Sequence, residues 1–396
     1  MWKTKYFSGS FERVTLLAAV IGSVSFFLPF LVVKENRVVE GIRHFIWDVP
    51  APISVGVVAA ALLTALLLSR LGETRTLGYA RVAVGLAIFT GATFVLSRSG
   101  VMLDERGFAF GRITPTGGFW LLLLSSFVLI DASLRHGGLP RGLRGAATAL
   151  PLAILAAVLV FGGLDDLAIM QEYSNRQDRF VRELFNHMYL SGSAVALAVV
   201  MGVPLGLLAW KRQKLEKPIF VAVNGIQTIP SLALFGLMIA PLAYLSQRFP
   251  VLREMGIQGI GNAPALIALT LYALLPIVRN AYTSLANIPN AVIDAGTGVG
   301  MSRRQLLRHV EFPLSVPIVL SGIRTSAVQA VGNTAVAALI GAGGLGRFVF
   351  QGLGQAAPDL IVMGVLPIIF MAVALDRLLG WIISRVTPRG AKRELA

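Results

Sequence analysis

The sequence predicts an all-α integral membrane protein of about ten transmembrane helices. Composition is the first ground: of 396 residues, 55% are hydrophobic and only 14% charged, and the mean hydropathy is +0.74. An ordinary soluble domain carries about 25% charged residues, so a soluble globular enzyme is excluded, as are disordered and fibrous chains. The second ground is a series of nearly uncharged runs that are continuously apolar rather than alternating, which selects helices over a strand barrel. The third is the 41 Gly and 19 Pro, which spanning helices tolerate better than soluble ones. With no Cys, disulfides, thiolate metal sites and a Cys nucleophile are excluded. His44, His136, His187 and His309 are scattered, with no i, i+4 pair to hold a metal.

The runs are 14–33, 51–68, 82–97, 113–130, 145–164, 188–210, 218–247, 255–278, 325–346 and 360–375. A hydrocarbon core of about 30 Å takes roughly 20 residues of helix. Residues 79–81 lengthen one short run and 378–384 the other. The run at 325–346 is expected to begin near Phe312, with Arg324 inside the span. The first run follows Lys3, Lys5 and Arg13 in the manner of a signal peptide. No small-residue cleavage site follows it, however, only Lys34-Glu35-Asn36-Arg37, so it is read as a retained helix.

Alternating the segments from a cytoplasmic N-terminus puts 21 basic and seven acidic residues inside, and 12 of each outside. Basic residues gather on the cytoplasmic side of membrane proteins, so both termini are expected inside. The net charge of +15 is thereby explained by topology, and no nucleic-acid partner is called for.

A long outer loop, 165–186, is expected to divide a five-helix membrane region, 1–164, from a second region, 187–390. The second region differs in kind. Its spans carry Asn224, Gln227, Thr228, Ser231, Arg324, Gln329, Asn333 and Thr334, and are interrupted by Pro204, Pro230, Pro264, Pro276 and Pro317. Polar groups and freed backbone at membrane depth need shelter in protein or a watery cavity. Asn224, Gln227, Thr228, Pro230, Ser231, Asn333 and Thr334 are therefore candidates for a translocation path, against the plainer reading that they tie helices together.

A cytoplasmic connection follows, with a candidate docking helix at 289–311. Pro289 and Asn290 suit a helix start, and Asp294 is expected near that start, where the helix dipole favours an acid. Gly296, Gly298 and Gly300 allow a tight turn. Ser302 is placed to cap a second helix with Arg303, Arg304 and Arg308 on its basic face. Two short helices joined at glycine suit docking on a soluble partner.

Asp294-Ala295-Gly296, three residues, Gly300, nine residues, then Val310-Glu311-Phe312-Pro313 resembles the coupling motif of ABC importer permeases: Glu-Ala-Ala, three residues, Gly, nine residues, Ile-x-Leu-Pro. Asp294 stands for the Glu and Gly296 for the second Ala, a change that weakens a helix by about 1 kcal/mol. Gln227-Thr228-Ile229-Pro230-Ser231 and 332–346, with Gly341-Ala342-Gly343-Gly344-Leu345-Gly346 at its end, resemble the osmoprotectant permeases for glycine betaine, proline betaine, choline or carnitine. The segment Glu172-Tyr173-Ser174-Asn175-Arg176-Gln177-Asp178 resembles a subgroup with extra N-terminal spans.

The resemblance implies a type I importer core in the last five helices and a coupling role for Asp294, Ala295, Gly296, Gly300 and Pro313. It also implies a separate cytoplasmic ATPase that uses ATP and Mg, a periplasmic substrate-binding protein, a second permease chain and residence in a bacterial inner membrane. The chain itself is expected to hold no cofactor or metal and to catalyse no reaction.

Other signals are set aside. The run at 341–346 fits Gly-x-Gly-x-x-Gly, but it follows an apolar helix where a dinucleotide site needs a strand. No Walker sequence occurs. The pair Asp165 and Asp166 reads as a solvated loop. Ser191-Gly192-Ser193 lacks a base for protease chemistry, and the five Trp read as interfacial anchors. Two rivals remain from other classes. An ion-coupled carrier of small zwitterions would call for inverted repeats and free acids within spans, and a membrane-embedded hydrolase would need an acid–base–nucleophile set.

Overall fold

The computed structural model describes residues 5–36, 39–71, 74–108, 111–136 and 139–388. Of the charges counted above, Lys3, Arg37, Glu73, Arg389, Lys392, Arg393 and Glu394 lie outside the described residues. The chain divides into two compact units at Asn175 and Arg176.

The first unit contains α1 (Lys5–Val24), α2 (Pro52–Leu68), α3 (Arg75–Ser97), α4 (Val101–Arg106), α5 (Gly117–His136), α6 (Arg141–Val160) and α7 (Ala168–Asn175), with three short strands, β1 (Leu31–Lys34), β2 (Ile42–His44) and β3 (Arg112–Pro115). Helices α1, α2, α3 and α5 pack around a core that buries Leu62, Ile88, Ala92, Leu122 and Leu129. Small polar residues bring the helices close: Ser125 Oγ donates to the Ala18 carbonyl (2.7 Å) and Ser126 Oγ to that of Gly85 (2.8 Å).

Three sequence expectations change here. The run 14–33 is not one helix. It ends at Val24, turns through Ser25–Phe27, and becomes β1. Pro29 bars helix continuation, and β-branched Val32 and Val33 favour the strand. The run 113–130 likewise begins in β3 before α5 starts at Gly117. Strand β1 lies between β2 and β3, antiparallel to both, with Val32 opposite Arg43 and Thr114. Leu31 and Val33 face inward, an alternation hidden inside a longer apolar run. Third, the expected loop 165–186 is largely helical. Its first part is α7, fastened to the sheet by an Arg112–Glu172 ion pair (2.6 Å) and by Gln171 donating to the Gly111 carbonyl (3.1 Å).

Arg81, counted above among the loop charges, is fully buried. Its guanidinium donates to the Leu68 and Leu71 carbonyls at 2.8 and 2.7 Å, capping the end of α2, where a cation complements the dipole.

The acidic pair is exposed, as a solvated loop requires, yet its two carboxyls are crowded. Burial, together with the Asp104 and Asp165 carboxylates, pushes the Asp166 carboxyl above its ordinary value. A folded pKa above the unfolded one means that the ionised form destabilises the fold. The penalty is complete above the folded pKa and gone below the unfolded value of about 3.9. Asp166→Asn should therefore raise thermal stability at neutral pH, with the gain shrinking as pH falls toward 4. A gain that does not change with pH would sink this assignment.

The second unit contains α8 (Gln177–Lys211), α9 (Gln213–Thr228), α10 (Ser231–Arg248), α11 (Pro250–Glu254), α12 (Asn262–Ala286), α13 (Asn290–Gly298), α14 (Arg303–Leu306), α15 (Phe312–Ala337), α16 (Gly346–Gly354) and α17 (Pro358–Val386). Helix α12 packs on α8 and α15, and α15 on α17. Buried alanines at 194, 265, 268 and 337 permit the close approach.

The run 218–247, expected as one span, is the pair α9 and α10, bent by 103° at residues 229–230. The run 255–278 starts later, at Asn262, because α11 and Gly261 (φ 97°) precede it. Phe312 does open α15, and Arg324 lies within it.

Among the described residues seven helices are long and apolar enough to cross a membrane, or eight if the bent pair is one span. Arg13–Phe27 and Pro52–Leu68 are apolar but shorter. The expected figure of ten is reached only if both of these also cross.

Candidate translocation path and coupling segment

The bend between α9 and α10 follows from one residue. Pro230 has no N–H and cannot continue a helix, and Ile229 before it is extended, with φ −74° and ψ 127°. The freed Ile229 carbonyl accepts a hydrogen bond from the Tyr272 hydroxyl on α12. Tyr272 gains in return. Pro276, four residues on, offers no N–H to the Tyr272 carbonyl, and Gln227 Nε2 donates to it instead, at 2.9 Å. Two prolines on different helices thus free two carbonyls, and Gln227 and Tyr272 satisfy both.

The other path candidates are placed as follows. Asn224, Ser231 and Asn333 are half-buried, while Thr228 and Pro230 are exposed. Thr228 Oγ1 donates to the Gly225 carbonyl within its own helix (2.7 Å). Thr334 is fully buried and donates to the Ala330 carbonyl (2.7 Å). Asn333 and Thr334 sit one turn before Val336 and Ala337, which share a buried cluster with Ile226 and Ile229, so both polar stretches lie in one layer of the bundle. Asn224 opens onto a cleft that also holds Glu216, Lys217 and Arg279; the surroundings of this residue are charged, where a neutral conduit was expected.

Removing the Gln227 amide should leave the Tyr272 carbonyl without a donor, at a cost of about 1–3 kcal/mol. Gln227→Leu is expected to lower the unfolding midpoint of the purified chain. Wild-type stability in that variant would show that the bond contributes nothing.

The segment 287–313 folds as two short helices. Pro289 opens α13, and α13 ends in a glycine turn: the Met301 N–H bonds back to the Gly296 carbonyl (3.1 Å) and the Gly300 N–H to that of Thr297 (2.9 Å), with Gly300 at φ 84°. This is a Schellman closure, which calls for glycine at the left-handed position. Gly296 is buried, and a Cβ there would lie 2.5 Å from Leu306 Cδ1; the smaller residue lets α13 seat on Leu306 of α14. Asp294, Ala295 and Gly300 are exposed and Pro313 half-buried. Asp294 is the fifth residue of α13, beyond the first turn, so the dipole benefit expected for it is small.

Ser302 caps α14, its backbone N–H bonding to Gln305 Oε1 at 2.8 Å. A π turn, Leu307–Glu311, follows, and the Phe312 N–H reaches five residues back to Leu307. That wider turn stands immediately before Pro313, which has no N–H of its own to give. Arg303 pairs with buried Glu311 across two turns, and Ser315 Oγ donates to the Ser284 carbonyl of α12 (3.2 Å). The last bond ties α15, into which the hairpin runs, to α12, from which it emerges.

The sequence reading missed a clamp at the other end of the bundle. Glu183 on α8 accepts from the Gly344 N–H and from Arg347 Nη1, each at 2.6 Å. Asn186 Nδ2 donates to the Ala342 carbonyl (2.6 Å), and the His187 ring bonds to the Val331 carbonyl (2.9 Å) and the Leu345 N–H (3.3 Å). Gly341, Gly343 and Gly344 all have φ 81°, and the glycine run forms the turn that these side chains hold. Within the spans, Arg324 and Asp376 form a bidentate pair with both contacts at 2.6 Å. Asp376 is thus a paired charge and not a free ion-coupling group.

A broken helix in a bundle of apolar spans, with a helical hairpin between two of them, defines a polytopic membrane subunit. The chain belongs to the family of binding-protein-dependent transport system inner membrane components, which matches residues 198–389. Residues 12–170 match the N-terminal domain of the ABC transporter permease YehY.

The osmoprotectant import permease protein OsmW of Salmonella typhimurium is 42% identical over 208 residues, 52% of this chain and 92% of the relative. The glycine betaine/carnitine/choline transport system permease protein OpuCB of Bacillus subtilis is 36% identical over 204 residues, 52% of this chain and 87% of the relative. The carnitine transport permease protein OpuCB of Listeria monocytogenes is 35% identical over 225 residues, 57% of this chain and 96% of the relative.

The protein is therefore a multi-pass inner-membrane permease subunit of an ABC importer, and in such systems ATP is hydrolysed by a separate chain. These findings lend nothing to the ion-coupled alternative.

Proposed function

We propose that this permease moves a small zwitterionic osmoprotectant, such as glycine betaine, into the cytoplasm. The observation that carries the reading is the 42% identity to an osmoprotectant import permease. It is supported by the neutral amides and hydroxyls of Gln227, Ser231 and Asn333 around the break at Pro230; Asn224 opens instead onto the charged cleft. A betaine has no net charge, and fixed charges along its route would hold one of its ends. Neutral groups replace part of its hydration without trapping it.

In this reading two permease chains enclose the path, a periplasmic binding protein delivers solute, and two ATPase subunits with ATP and Mg dock on α13 and α14. ATPase closure acts on the hairpin and through it on α12 and α15, the helices that flank it and that Ser315 and Ser284 join. Each state of the ATPase then biases the same bistable bundle. Both termini are cytoplasmic, 165–186 is periplasmic and 289–311 cytoplasmic. The path and coupling segment fall within 187–390, and no transport step is assigned to 1–164.

Proteoliposomes holding the permease, ATPase and binding protein should accumulate labelled glycine betaine only with ATP, and equally well when ion gradients are collapsed. Uptake driven by a gradient without ATP would overturn the reading. Orientation is read by single cysteines in a chain that has none: an impermeant thiol reagent added to spheroplasts should label 165–186 and spare 289–311, and the reverse pattern would refute it.

A further inference from the structure

A cleft of about 570 Å³ opens between the start of α9 and the end of α12, within the usual range for small-ligand sites. Its walls differ from the neutral surroundings of the Pro230 break. Phe220 and Tyr282 meet edge to face, with centroids 5.3 Å apart at 82°. Glu216 stands on the same wall as Phe220, one helical turn away. Arg279 stands one turn before Tyr282, and Lys217 and Asn224 complete the lining. Glu216, Phe220 and Tyr282 are half-buried, while Arg279 and Lys217 are exposed.

The arrangement is that of a two-ended ligand site. Aromatic faces beside a carboxylate attract a quaternary ammonium group, which offers no hydrogen to a conventional acceptor. A guanidinium holds a carboxylate in a planar fork. The cleft also has a defined place in the chain: α12 ends at Ala286, and α13, the first helix of the coupling hairpin, begins at Asn290.

We propose that this cleft binds a zwitterion bearing a quaternary ammonium group, its carboxylate on Arg279 and its cation against Phe220 and Tyr282 beside Glu216. The proposal rests on the transport reading above for the class of solute. The cleft is a station at the coupling end of the bundle, distinct from the polar layer at Pro230. Its exposed cations make it a low-affinity site that fills at millimolar solute.

The test uses the permease–ATPase complex in nanodiscs without binding protein, so that the permease supplies the solute sites. Val221, on the cleft wall, is replaced by cysteine, and maleimide labelling of the permease band is timed. Glycine betaine at saturating millimolar concentration should slow labelling at least fivefold. Choline, lacking the carboxylate, and 3,3-dimethylbutanoate, lacking the cation, should protect only at much higher concentration, and sucrose of equal osmolality should not protect. Arg279→Gln and Phe220→Leu should each abolish protection while the unliganded labelling rate and ATPase retention hold. If Arg279→Gln fails to assemble, Phe220→Leu decides alone.

Absence of protection, equal protection by sucrose, or protection that survives the assembled variants overturns the proposal. A wild-type complex that imports glycine betaine with binding protein but shows no protection refutes the site and leaves the transport reading intact. Protection without import refutes the transport reading and leaves the site standing.

Discussion

Gly300→Val should leave the chain in the membrane and strip the ATPase from it. Gly300 sits at φ 84° at the close of α13, and its N–H and that of Met301 close the last turn on Thr297 and Gly296. An ordinary L-residue in the left-handed region costs about 1–2 kcal/mol, and a β-branched residue costs more. The space around Gly300 is open, so the penalty is conformational and the variant relieves it by opening the turn. Leu306, which packs on Gly296, then loses its seat, and the two helices no longer present one surface.

A loss of about 1.4 kcal/mol in docking is tenfold in affinity, and at least that is expected in ATPase co-purification, with transport falling in proportion. Gly300→Asn, which tolerates the left-handed conformation better, should recover part of it. Full transport and wild-type ATPase recovery in Gly300→Val would remove the turn from the coupling mechanism.

The second large effect is expected at Glu183. Its side chain is 9% exposed and bridges the Gly344 N–H and Arg347. Glu183→Ala leaves the buried Gly344 N–H without its acceptor, at a cost of about 1–3 kcal/mol, while the Arg347 guanidinium is 45% exposed and is taken up by water. Arg347→Ala should cost more, because it leaves the carboxylate, only 9% exposed, without its cation and with the Gly344 bond alone. The two losses should be less than additive, since they share one interaction. Denaturant titration of the purified chain measures all three variants. Equal and additive losses would mean that Glu183 and Arg347 act independently.

Much of the coupling segment was legible because its constraints are local. Pro289 starts α13, Gly300 supplies the left-handed turn and Ser302 caps α14, each within a few residues of its effect. Asp294 was misplaced only in degree: its helix starts four residues earlier, out of reach of the dipole benefit. The path was legible as a set of polar residues but not residue by residue. Gln227 reads alike as path or tie, and its tie became visible only when Pro276 on another helix was seen to leave the Tyr272 carbonyl free. Thr334 reads like Asn333, yet it is buried with its hydroxyl bonded within its own helix. Proline positions hold the usable signal, since each frees a nearby carbonyl that needs a donor from elsewhere.

By itself the sequence determined the solvent. A chain 55% hydrophobic and 14% charged must place its apolar runs in lipid, and because lipid does not satisfy backbone groups those runs must be helical. It also determined where the hairpin turns and where the α9–α10 pair breaks, since Gly300 and Pro230 act through their own backbones. Tertiary structure decided the rest. It set the 103° angle between α9 and α10, placed β1 between β2 and β3 and buried Arg81 as a cap on α2. It also brought Glu183 to Gly344 and Arg324 to Asp376. The partners in each of these pairs are set by helix packing, and side chains 52 to 161 residues apart carry no local trace of one another.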